Sequence, residues 1–162
     1  MRSSRRGRPQ LSVVVPVCDE EGNCEPLIES LVQVLSGLGM SWEVIFVDDG
    51  STDQSWSVIG AQHRRDPRVG GIRLSRNFGH QAALLAGLQA AVGQAVITMD
   101  ADLQHPPGHI PDLVRAWRSG SKIVHTVRRD RGGEPWWKRT TSRVFYRLFS
   151  YLSGVHMSEG MA

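Results

Sequence analysis

The sequence predicts an α/β fold, a sandwich of helices around a mostly parallel sheet. Apolar, β-branched runs of strand length recur along the chain, and segments of helical periodicity fall between them. Continuous apolar runs suit strands covered on both faces, as in a parallel sheet with helices on each side. At 162 residues the chain has the length of one ordinary domain, enough for a core that needs neither disulfides nor a structural metal.

Each element follows from its residues. Residues 1–10, "MRSSRRGRPQ", read as a disordered basic leader, because the following "LSVVVPV" is too short and too β-branched for a signal-peptide h-region and runs directly into acids. Leu11–Val17 is the first strand, and residues 43–47, "EVIFV", are the second. Between them Leu27, Ile28, Leu31, Val32 and Leu35 recur at helical spacing, with Pro26 near the start and Gly37 and Gly39 as stop signals. Residues 53–65 form a weaker helical segment, "VGGIRLS" carries a short strand into the loop "RNFGH", and 81–92 is a compact helix rich in Ala and Leu. A buried strand is expected over 95–99, a helix over 111–118 that packs Leu113, Val114 and Trp117, and a possible strand over 122–127.

The segment 136–152 is a basic amphipathic helix by pattern. Trp137, Val144, Phe145, Leu148, Phe149 and Leu152 share one face, opposite Arg139, Arg143 and Arg147. It suits either a surface helix packed on the core or a helix lying at a membrane surface with its arginines near anionic lipid. The remaining "SGVHMSEGMA" brings neither a helix stop nor a strand to finish the sheet, so 11–162 reads as one domain cut short at its C-terminal side.

The net charge is only +3, but residues 115–147 hold ten basic side chains against two acidic ones, Asp130 and Glu134. A local basic face is therefore the informative feature. Basic residues beside Trp136 and Trp137 raise nucleic-acid binding as a class, yet no nucleic-acid-binding motif is present. Cys18 and Cys24 are too few for a disulfide scaffold and lack metal-ligand spacing, so they read as bystanders in a reducing compartment. No window reaches the roughly 18 to 20 apolar residues of a membrane-spanning helix.

The chemistry is expected where strands end. Asp19, Glu20 and Glu21 follow the first strand, Asp48 and Asp49 the second, and Asp100 and Asp102 the strand at 95–99. In open α/β sheets ligands bind beyond the carboxyl ends of the strands, so parallel strands would gather these acids at one edge. Carboxylates so concentrated repel one another unless a cation or donor groups satisfy them. Hard oxygen ligands suit Mg²⁺ or Mn²⁺, held through one or two carboxylates plus substrate phosphates. Alternation along an extended segment puts Asp100 and Asp102 on one side with Ala101 opposite. The plainer reading, that an Asp only caps a helix or starts a turn, suits Asp53 and Asp112. Rival sites are excluded: the sequence has no G-x-G-x-x-G after the first strand, no G-x-x-x-x-G-K-S/T, no H-E-x-x-H and no G-x-S-x-G.

Taken together, "VVVPVCDEE", "VIFVDDGSTD", "LSRNFGHQAALLAGL", "MDADLQHPP" and "VRRDRGGEPWWKRTTSRVFYRL" resemble, in order, the motifs of family 2 glycosyltransferases, and more narrowly the polyprenyl-phosphate and dolichyl-phosphate hexose synthases. The resemblance covers 11–160 and implies the GT-A fold, a Rossmann-like three-layer α/β/α sandwich. It implies that Pro16, Glu20, Asp48 and Asp49 line a nucleoside pocket, that Asp100 contacts the sugar or ribose, and that Asp102, with Asp100 beside it, holds Mg²⁺ or Mn²⁺ on the donor diphosphate. Gln104 falls near the metal and donor phosphates, and Asn77, Gly79 and His80 in a loop that shapes the donor pocket. For His80, a plain role in capping the helix of Gln81 is an equal alternative.

Arg128, Arg139 and Ser142 correspond to groups near the donor and acceptor phosphates, with Lys138 and Arg131 as helpers. Cys18 and Asp19 stand where the family usually has Tyr and Asn. A D-F-R-L type segment, whose aspartate is often assigned as catalytic base, lies in the family past the position of Ala162. The implied activity is transfer of a hexose from a nucleotide sugar to a polyprenyl phosphate, with inversion, at the cytoplasmic face of the cell membrane for cell-envelope glycans. "RNFGHQAA" is more similar to members using UDP-glucose or a related UDP-sugar than to GDP-mannose enzymes. The alternatives are a GDP-mannose-dependent mannosyltransferase and a truncated, non-catalytic nucleotide-sugar-binding module.

Overall fold

The computed structural model describes residues 8–104 and 106–126. The chain divides into two compact units, Met1–Lys122 and Ile123–Ala162, and the fold below is that of the first. Its elements run β1 (Leu11–Val17), α1 (Glu21–Ser36), β2 (Trp42–Asp48), α2 (Ser55–Arg65), β3 (Val69–Arg73), α3 (His80–Ala90), β4 (Ala95–Thr98), a short 3₁₀ turn over Pro107–His109, and α4 (Ile110–Arg118).

The four strands lie in the order β3-β2-β1-β4 and every pairing is parallel. Alternation along each strand sorts the core into two faces. Val13, Val15 and Val17 of β1 and Val44 and Phe46 of β2 pack with α1, Ile59 of α2 and Ile110 and Val114 of α4. Val14, Ile45 and Val47 point the other way, onto Ala83 of α3. These are the three layers expected.

Helix α1 buries Cys24, Leu27, Ile28, Leu31 and Leu35 in one stripe. Each Leu or Ile so buried contributes about 1.5–3 kcal/mol relative to exposure. The helix begins at Glu21, before Pro26, because the Glu20 carbonyl accepts the N–H groups of Asn23 and Cys24 and starts the first turn there. Helix α3 approaches the sheet closely through small residues. A Cβ on Gly87 would stand 2.3 Å from Val14 Cγ1 and 2.9 Å from Val47 Cγ2, so no side chain fits between helix and sheet.

Two expectations change. The strand at 95–99, expected to be buried, is β4, whose residues alternate between half-buried and exposed. It pairs with β1 alone among the described residues, and Val96 is 40% exposed. The alternating segment 122–127 forms no strand over its described part, 122–126.

Candidate functional site

Parallel pairing brings the carboxyl ends of β1, β2 and β4 to one edge, where a cavity of about 280 Å³ opens. Pro16, Cys18 and Glu20 line it from the end of β1, Asp49 from β2, and Asp100 and Asp102 from the turn after β4. Asn77, Gly79, His80 and Ala83, from the loop before α3 and its first turns, complete the wall. Of the residues expected to touch a nucleoside, Pro16, Glu20 and Asp49 are there, and so are both acids of "DAD".

Asp48 is not. It is fully buried, and its register partner on β3 is Arg73. Arg73 Nε stands 3.0 Å from Asp48 Oδ2 in ion-pair contact, and Oδ1 accepts the Ser51 N–H at 3.0 Å. Neighbours on the adjacent strand and turn enclose this carboxylate, and the cavity begins one residue later.

Asp49 is also nearly buried, but it faces the cavity wall. Its Oδ1 accepts the Phe78 N–H and its Oδ2 the Gly79 N–H, both at 2.8 Å. Charge-assisted bonds to backbone at a helix N-terminus are the strong kind, and the dipole of α3 adds to them. Gly50 closes the contact. With φ at +74°, a Cβ there would stand 2.5 Å from the Arg76 carbonyl carbon and 2.6 Å from the Asn77 nitrogen. Only glycine allows the β2 turn to lie flush against the 76–79 loop.

Cys18, read as a bystander, is a wall residue. Its thiol donates to the Asp49 carbonyl at 3.8 Å and accepts the Asn77 Nδ2–H at 3.3 Å. Burial, then the charges of Asp19 and Asp49, push its pKa up. The available signal was positional: Cys18 stands two residues past Pro16, where the first strand runs out into the expected crevice. Cys24 lies within the core, where burial pushes its thiol up to about 11.

Asp100 and Asp102 both line the cavity with exposed side chains, and the Ala101 between them is buried against the core. Asp102 Oδ1 accepts the Gln104 N–H at 2.9 Å, and His80 Nε2 stands 3.7 Å from Asp100 Oδ1. Gln104 contributes that backbone N–H, and its exposed side chain is not part of the cavity lining. Asp53 accepts the Ser55 N–H in its own turn and the Glu21 N–H at the start of α1, and Asp112 pairs with Arg115 in its own helix.

Among the described residues no group of three or more His, Cys, Asp or Glu side chains could enclose a metal ion. Two open, hard carboxylates fit Mg²⁺ or Mn²⁺, which take one or two of them and complete their shell with phosphate oxygens and water. Arg128, Arg131, Lys138, Arg139, Ser142 and the 136–152 segment with Arg143 lie outside the described residues.

The model of the family described as "Glycosyl transferase family 2" matches residues 12–159. The chain belongs to glycosyl transferase family 2. An uncharacterized glycosyltransferase of Synechocystis is 41% identical over 146 residues, 90% of this chain and 46% of the relative. An undecaprenyl-phosphate 4-deoxy-4-formamido-L-arabinose transferase of Aeromonas hydrophila is 40% identical over 92% of this chain and 46% of the relative. Among solved structures, the glucosyl-3-phosphoglycerate synthase of Mycobacterium tuberculosis in complex with Mn²⁺, UDP and phosphoglyceric acid is 27% identical at a TM-score of 0.64, over 90% of this chain and 50% of that one. The fold is thus GT-A, and this family 2 chain spans about half the length of the curated relatives it matches. No helix among the described residues is long and apolar enough to cross a membrane.

Proposed function

We propose that this family 2 chain binds a nucleotide sugar at the carboxyl edge of its sheet and belongs to an enzyme that transfers the hexose, with inversion, to a polyprenyl phosphate. The observation that carries the reading is the meeting of Pro16, Glu20, Asp49, Asp100 and Asp102 around one open cavity. In this reading Pro16, Glu20 and Asp49 receive the nucleoside, Asp100 faces the sugar or ribose, and Asp102 holds a divalent cation on the diphosphate, with Gln104 beside it. Two adjacent carboxylates would repel a diphosphate by themselves, so a cation between them and the phosphates is required. Bound there, Mg²⁺ or Mn²⁺ neutralises the charge that builds on the departing nucleotide diphosphate.

The acceptor side rests on sequence and kinship. The relative named as an undecaprenyl-phosphate transferase supports a polyprenyl phosphate, and the solved relative bound to UDP and Mn²⁺ supports a UDP-sugar donor. A phosphate monoester has its second pKa near about 6, so its attacking oxygen is already ionised at neutral pH and orientation matters more than a strong base. Arg128, Arg131, Lys138, Arg139 and Ser142 are proposed to hold that phosphate through charge-assisted hydrogen bonds, at the cytoplasmic membrane surface.

The test is calorimetric titration of UDP and of GDP, with and without Mn²⁺, into the parent and Asp102→Ala. Metal-dependent UDP binding that disappears in the variant supports the reading; unchanged metal-dependent affinity overturns the role of Asp102. Product formation on polyprenyl phosphate from a panel of nucleotide sugars then separates an enzyme from a binding module.

A further inference from the structure

His80 is the first residue of α3, one position after the N-cap residue Gly79. Its ring instead stands in the cavity wall, 3.7 Å from Asp100, with both side chains about half exposed. Among the described residues no other cationic group comes within ion-pair distance of Asp100, and none does so for Asp102.

The two backbones that present this pair are both held. Asp49 binds the N–H groups of Phe78 and Gly79 immediately before His80, and Gly50 lets the loop seat without a gap. On the other side the buried Ala101 anchors the residue after Asp100. The approach of His80 to Asp100 is therefore set by the fold rather than by a free loop.

Asp100 and Asp102 both line the cavity, and their neighbours distinguish them: His80 stands beside Asp100, while Asp102 accepts the Gln104 N–H. We propose that His80 is a positioning residue for donor binding. Its ring, 3.7 Å from Asp100, closes to hydrogen-bond distance when the donor is bound, keeps the Asp100 carboxylate toward the sugar side of the cavity and leaves Asp102 as the carboxylate open to the divalent cation. This rests on the donor-site reading above.

The test is a cycle of His80→Ala, His80→Gln, Asp100→Asn and the double variant His80→Ala/Asp100→Asn, each titrated with UDP and GDP with and without Mn²⁺. His80→Ala is expected to weaken Mn²⁺-dependent nucleotide binding about tenfold, the scale of lost partners behind metal-site carboxylates. Metal-free binding should stay the same. His80→Gln, which retains an N–H of similar reach, should recover most of the loss, and His80→Ala should add nothing once Asp100 is Asn. Fully additive single effects, or Gln no better than Ala, overturn the role of His80 while leaving the donor site intact. A parent that binds neither nucleotide with Mn²⁺ overturns the donor-site reading and this proposal together. Equal thermal midpoints across the series show that the fold is unchanged.

Discussion

At the end of β2, Asp48 and Asp49 are 0% and 3% exposed, and their carboxylates meet Arg73, the Ser51 N–H and the N–H groups of Phe78 and Gly79. At the end of β4, Asp100 and Asp102 stand open to the cavity with one imidazole and one backbone N–H between them. The residue type and the topological position are the same; what differs is the place of the strand in the sheet. β2 lies between β1 and β3 and is enclosed from both sides, whereas β4 pairs with β1 alone among the described residues. The inner pair is therefore tied into the structure and the outer pair is left open to the cavity, because an ionised carboxylate stays open only where few donors can reach it.

This contrast predicts opposite mutational behaviour at the two ends. The largest loss of stability belongs to Asp48→Ala, which strips the Ser51 N–H of its acceptor and Arg73 of its carboxylate, leaving Arg73 the Ser51 carbonyl. Breaking a buried pair costs about 3–5 kcal/mol, and with Arg73 45% exposed the lower end, about 3 kcal/mol, should appear in urea denaturation. Gly50→Ala follows at about 2 kcal/mol, since a left-handed alanine costs about 1–2 kcal/mol before the backbone contact with Arg76 is counted. The same variant should weaken nucleotide binding by displacing the 76–79 loop. Asp49→Asn keeps one acceptor and turns an N–H toward another N–H, an effect of about 1.5 kcal/mol by the same denaturation measurement.

Asp102→Ala should change stability by no more than about 0.5 kcal/mol, as for other exposed positions, while metal-dependent nucleotide binding disappears. A large stability loss there would erase the contrast between the two ends. The smallest effect concerns Cys18. Its thiol titrates above the ordinary range, so the reactive thiolate is scarce at neutral pH and grows as pH rises. Iodoacetamide should label it more slowly than free cysteine at pH 8, faster at pH 9.5, and more slowly again with UDP and Mn²⁺ present.

Much of the fold was legible in the residues. Leu11–Val17, the α1 stripe from Cys24 to Leu35 and the acids after each run depend on local periodicity and on where it stops, which a single chain displays directly. Asp100 and Asp102 were readable as cavity residues because they follow directly where the apolar run ends, although the chain reaches them through a bend rather than an extended segment. The exposure of β4 was not readable, because an apolar run looks alike whether one strand or two lie beside it. Nor did the alternation over 122–126 make a strand, since alternation describes a face and a strand also needs a ladder partner.

The sequence by itself determined the order of strands and helices, the family, and the gathering of acids at strand ends, because these follow from patterns within a few residues of one another. Only the tertiary structure decided which acids are open. Asp48 was closed by Arg73, Asp49 was turned to hold Phe78 and Gly79, and Cys18 was placed in the wall, all by groups 25 to 59 positions away. Such partners meet through parallel register and helix packing, and no local pattern states which of two equivalent carboxylates they will reach first.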